Sequence, residues 1–249
     1  MRVLATVLAV IFLVALIGCG NDDAPSARAV SLFELIEEQN DAVSYGSAVY
    51  ETLAEAMPNF LYETDSGELV SAADLYVAGR VASVERGQSF TWLETVDSVE
   101  RVALDFENDE ALISTVHVTL EAETVIAGPA VGREIGGTVT FGLALNAPVA
   151  FDEIEAELVA QEQLAVLLYE PSEVFDYAEN LWAVMEDGAF LGVITEGERV
   201  EFPAVHGGQT ADGRAFVPDD LTRSDLEEPP DQDPIPIVKR DGEWVRVSE

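Results

Sequence analysis

The stretch Ile113–Gly128, ISTVHVTLEAETVIAG, constrains the fold more than any other part of the chain. Val116, Val118, Leu120, Ala122 and Ile126 alternate with Thr115, His117, Thr119, Glu121 and Glu123. A period of two places the first set on one face of a β-strand and the second on the other, one against a core and one toward water. Such a strand needs partners on its edges for its backbone N–H and C=O groups, so the flanking sequence must supply a sheet.

Candidate partners lie on both sides. Upstream, LYVAGRVASVERG sets Leu75, Val77 and Val81 around an interior Gly79, the mark of a bulge or a sharp coil. Downstream, GTVTFGLAL turns Val139, Phe141, Leu143 and Leu145 inward, DEIEAELVA reads as a short helix, and QLAVLLYEP reads as a buried strand. NLWAVMEDG and AFLGVITEG flank Asp187-Gly188, a pair suited to turning a hairpin, and RVEFP extends the meander. A glycine-bearing first strand, a long second, a turn at Gly136-Gly137, a third, a helical insert and paired strands follow in order. This pattern predicts a mainly β, α+β fold with an N-terminal helical segment and a small antiparallel OB-like β-barrel over residues 73–204. The acidic stretch Glu94–Glu110 interrupts the pattern and has no assigned element.

Residues 31–58 predict the helical segment. Ser31 followed by Glu34 forms a capping box, Val30 and Leu35 stand as a hydrophobic staple, and Pro58 closes a run with helical spacing. Residues 19–30 read as a tether. Residues 205–234, rich in Gly, Pro and acid, read as a flexible linker, and residues 235–249 as a terminal hairpin around Asp241-Gly242.

The N-terminus carries the address. Arg2 precedes an aliphatic run from Val3 to Ile17, then the small Gly18 and the single cysteine, Cys19. That order is the order of a secretory signal. It is too short to span a bilayer, which takes about 20 apolar residues. Leu16, Ile17, Gly18 and Cys19 resemble the bacterial lipobox. The resemblance implies cleavage between Gly18 and Cys19, removal of residues 1–18, acylation of Cys19, and anchoring to the outer face of the cell membrane. With one cysteine, no intrachain disulfide can form.

Lys+Arg number 12 against 48 Asp+Glu, a formal charge of −36, and Lys239 is the single lysine. A surface of that sign repels nucleic acid and anionic polymers, so a nucleic-acid partner is excluded. Few lysines beside abundant carboxylates also suit a high-salt environment, where screening weakens self-repulsion.

No catalytic, metal or cofactor residue is assigned. His117 and His206 are too few and too far apart for a metal set and read as solvated, and no G-x-S-x-G elbow is present. The acids from Asp219 to Asp233 lack the regular spacing of a calcium loop. Trp182 reads as core. Trp92, in the polar segment SFTWLETVD, is the one candidate ligand contact.

The segments ADLYVAGRVASVERG, VHVTLEAETVIAGPAVGREIGGTVTF and EQLAVLLYEP, within Ala73–Glu201, are similar to a group of uncharacterised bacterial secreted or lipid-anchored proteins. The resemblance implies the OB-like barrel and supplies no activity. The expected function is therefore a non-enzymatic, lipid-anchored envelope protein binding a protein, peptide or cation. A cell-envelope hydrolase using unidentified carboxylates is the alternative.

Overall fold

The computed structural model describes residues 31–42, 53–63, 67, 69–94, 99–106, 108–128, 131, 135–170, 181–205, 220–228, 237–240 and 243–246. In chain order its elements are α1 (Leu32–Ala42), α2 (Leu53–Ala56), β1 (Tyr62–Glu63), β2 (Leu69–Val70), β3 (Leu75–Glu94), β4 (Val99–Leu104), β5 (Ile113–Ala127) and β6 (Thr138–Asn146). They continue with α3 (Phe151–Ala160), β7 (Gln163–Tyr169), β8 (Trp182–Val184), β9 (Leu191–Ile194), β10 (Val200–Glu201), α4 (Arg223–Glu227), β11 (Ile237–Arg240) and β12 (Glu243–Arg246). The molecule is mainly β, with one eight-stranded mixed sheet and short helices in an α+β arrangement.

β3 organises the sheet. It pairs antiparallel with β5 from Leu75 to Phe90, and on its other edge with β7 from Leu75 to Gly79 and with β4 from Ser89 to Glu94. β5 pairs with β6, β6 runs parallel to β8, and β8 is antiparallel to β7. Val118, Leu120, Phe141, Leu143 and Leu164 are all buried on these strands.

The interior glycine of the first strand is a bulge, as expected. The register of β3 on β5 shifts between Ala78 and Gly79, and a Cβ at Gly79 would overlap the Glu121 carbonyl oxygen. The acidic insert Glu94–Glu110 supplies β4, which continues the sheet along the far half of β3.

Asp187-Gly188 does not turn a hairpin. β8 and β9 both run antiparallel to β7, so they are two halves of one strand on the same edge. Met185 N donates to Leu167 O at 3.0 Å, and Leu167 N donates to Phe190 O at 3.2 Å, so residues 186–189 leave the ladder and the chain rejoins it. Glu186, Asp187 and Gly188 all have positive φ, at 50°, 48° and 99°. The backbone preference that makes such a pair a good hairpin turn here makes an outward excursion.

The polar face of β5 is also drier than its alternation predicts. Thr115 is fully buried and His117 is half-buried, not solvated. A Cβ on Gly87 would lie 2.5 Å from His117 Nε2, so the glycine at the third register shift of β3 leaves the room in which the imidazole packs. His206 lies outside the described residues.

α1 buries Leu32 and Ile36, one turn apart, each contributing about 2 kcal/mol of apolar burial. Half of its capping box is present, with Ser31 N donating to Glu34 Oε2 at 3.3 Å. Ser31 Oγ instead donates to Glu157 of α3 at 2.7 Å, as does Leu32 N at 2.7 Å, so a carboxylate from another helix satisfies the first turn. At the other end the Gln39 amide donates to Ala144 O (3.2 Å) and Asp187 O (3.0 Å) and accepts from Asn146 N (3.0 Å), joining α1 to β6 and to the excursion.

The span 205–234, expected to be a linker, contains α4, with Leu221 and Leu226 buried. Thr222 N and Oγ1 both donate to Asp225 Oδ2, at 2.8 and 2.6 Å, and hold its first turn. Phe202 lies over Gly192 and meets Phe190 edge-on at 5.8 Å. The terminal hairpin is present as β11 and β12, paired from Ile237↔Arg246 to Arg240↔Glu243.

Candidate functional site

Two polar or amphipathic regions stand out along β3, one near its start and one at its end. The first centres on Arg223, whose side chain is 15% exposed. Its guanidinium donates from Nε to Glu227 Oε1 at 2.5 Å, from Nη1 to Glu123 Oε2 at 3.1 Å and from Nη2 to Thr124 Oγ1 at 2.8 Å, with Glu198 at 3.9 Å. Thr124 Oγ1 in turn donates to Glu227 Oε1 at 2.7 Å. Glu123 also meets Arg80 Nε at 3.2 Å and accepts from Gln163 Nε2 at 2.9 Å. α4 is thereby fastened to β5 and to the turn before β10 by one cation with three carboxylates around it, and Glu123 extends the network to Gln163 of β7.

The charges respond accordingly. The hydrogen bond from Arg223 holds the Glu123 carboxyl below its ordinary range, with the nearby charges of Arg223 and Arg80 adding to the effect. Burial acts to raise Glu227, but hydrogen bonds from Thr124 and Arg223 outweigh it and the group is lowered. Beneath this network lies Tyr76, fully buried, its phenol pushed far above the ordinary value by burial and by the neighbouring Glu227. It is a neutral phenol at physiological pH.

Beside the network an open cleft of about 750 Å3 is lined by Arg80, Gln161, Gln163 and the turn Thr195–Glu198. It offers amide and hydroxyl hydrogen bonds and one cation among carboxylates, which suits polar recognition. Glu123 and Glu227, beside the cleft rather than in its lining, are lowered by Arg223 and so lack the raised pKa that a general acid requires. Among the described residues Glu186 is the carboxyl that is raised, lifted by burial and reinforced by the Asp187 charge; it lies in the excursion rather than on the cleft.

The second region is the ribbon formed by β3 and β4. Trp92 lies there, 37% exposed, with Arg101 as its cross-strand neighbour. The Arg101 guanidinium stacks 4.9 Å from the centroid of Phe90, two residues before Trp92 on the same face. Trp182 is buried, as expected of a core residue. Arg86 covers the Phe151 ring of α3 at 4.6 Å, Phe151 meets Phe106 edge-on, and Arg86 pairs with Asp152 at 3.1 Å.

Gly18 and Cys19 lie outside the described residues, and no helix among those described is long and apolar enough to cross a membrane. Among the described residues no group of three or more His, Cys, Asp or Glu is placed to hold a metal. Sequence reasoning missed Arg223, Glu123 and Arg80. The Arg223/Glu227 spacing of four was the available signal, and it was masked by the surrounding prolines and acids. Comparison with protein-family models, with curated proteins and with solved structures finds no match for this chain.

Proposed function

We propose that this chain is an exported lipoprotein, held to the outer face of the cell membrane through acylated Cys19, that presents an acidic OB-type barrel as a non-enzymatic binding module. The observation that carries the reading is the order of strand pairing. From β3 the ladders run to β5, β6, β8 and β7 and return to β3, with one parallel pair (β6–β8) and a helix (α3) between β6 and β7. A cycle of ladders through five strands, though joined at β6–β8 by only two residue pairs, is the pairing order expected of a small barrel and supports that reading.

The anchor reading is supported by the lone cysteine at the end of the apolar run. A diacylated cysteine holds a protein to a bilayer where a single chain binds only marginally. Binding is favoured over hydrolysis by the network beside the cleft, where Arg223 lowers the pKa of both Glu123 and Glu227 and leaves neither suited to act as a general acid. The ligand class is a protein, peptide or cation, because a chain with a net charge of −36 repels polyanions.

Fractionation of cells expressing the full chain tests the proposal. The native chain is expected to sediment with membranes and to need detergent for release, and Cys19→Ser to appear in the soluble fraction. A serine variant as firmly membrane-bound as the native chain would refute the anchor.

A further inference from the structure

We infer that the β3–β4 ribbon is a docking face for a basic amphipathic segment of another protein. This deepens the binding reading proposed above and does not depend on the acyl anchor.

The two faces of the ribbon differ in chemistry. Register pairs Trp92 with Arg101 and Phe90 with Ala103 on one face, where the arginine is stacked on an aromatic ring. The opposite face carries Thr91 with Val102 and Leu93 with Glu100. Leu93 is 53% exposed. Leu112, also 53% exposed, donates its amide to Phe90 O at 2.8 Å, and alternation carried back one residue from Ile113, the partner of Phe90, puts it on the Leu93 face. That face continues from the buried Ser89 and Ser114, hydrogen-bonded to each other at 2.7 Å, so it is an outward extension of the interior.

Three of the five large hydrophobic residues exposed among those described, Trp92, Leu93 and Leu112, thus share one end of the sheet. Each exposed leucine has a carboxylate at its side. Glu100 lies directly across from Leu93, and the exposed Asp109 and Glu110 precede Leu112 in the chain. Apolar residues rimmed by charge of one sign form the anatomy of a protein interface, and the sign selects the partner. Leucine-sized side chains would cover Leu93 and Leu112, while Lys or Arg flanking them would reach Glu100 and Glu110. Arg101, the arginine within the paired segments Ser89–Glu94 and Val99–Leu104, is turned to the other face and does not oppose such a partner.

The probe is a synthetic helix of Lys and Leu whose leucines form one face, titrated into the full mature chain at physiological salt. Its control has the same composition with the leucines scattered. The patterned peptide is expected to bind at least tenfold more tightly than the scattered one, and a Leu93→Asp/Leu112→Asp double variant to lose that advantage with its circular dichroism and melting curve unchanged. Equal binding of both peptides, which is mere charge attraction, would overturn the proposal. So would a patterned-peptide affinity unchanged in the double variant, or a variant that loses only partition onto phosphatidylcholine vesicles. These outcomes leave the anchor untouched, since Cys19→Ser fractionation reads that separately.

Discussion

At the scale of single residues, close approach and burial set the requirements. Gly79 has the Glu121 carbonyl where a Cβ would go, and that neighbour is backbone in a paired strand, which yields only by shifting the ladder. Gly79→Ala is expected to lower stability by about 2 kcal/mol, read from the urea midpoint; a loss within experimental error would mean that the bulge relaxes freely. Glu186 illustrates the opposite cost. Burial, with the Asp187 charge beside it, raises its folded-state pKa, so the native state holds the proton more tightly than the unfolded chain does. Stability from this group is therefore full below the ordinary carboxyl range and is lost as pH rises through the folded pKa. Glu186→Gln is expected to match the native chain in acid and to exceed it at neutral pH, and equal melting temperatures at both pH values would remove the argument.

At the scale of elements, α4 depends on one cation. Arg223 is mostly buried and its carboxylate partners are 31–65% exposed, so its removal is worth less than that of a fully buried ion. Arg223→Met is expected to cost about 2 kcal/mol, with Leu221 and Leu226 becoming more open to hydrogen exchange. The native chain should lose stability as pH falls through the lowered pKa values of Glu123 and Glu227, and this variant should lose less there, because its carboxyls are no longer held down. An acid profile identical to that of the native chain would contradict the clasp.

Elements also mark what the sequence made legible. The alternation in β5, the glycine bulge in β3, the helix α3 and the apolar β7 could be read because each is set by local periodicity. The Asp187-Gly188 excursion could not, because a positive-φ pair serves a hairpin and an outward loop equally and the choice rests with ladder bonds to Leu167. The Arg223 network joins residues some hundred positions apart, and no local pattern reports such a pairing. Trp92 was legible as exposed, but the asymmetry of its ribbon needed the register of β4.

At the scale of the whole molecule, 48 acidic residues against 12 basic ones make self-repulsion a standing cost of the folded state. Raising NaCl from about 0.05 M to about 1 M shortens the Debye length to roughly 3 Å, so the melting temperature is expected to climb by several degrees. A fall over that range would mean that ion pairs such as those of Arg223 outweigh the net charge.

Intact mass spectrometry of the chain extracted from membranes is the sharpest test of the proposed anchoring of this acidic module through Cys19. A mass lacking Met1–Gly18 and carrying added acyl groups, absent in Cys19→Ser, is the predicted result. A full-length mass, or cleavage elsewhere with an unmodified thiol, would contradict it.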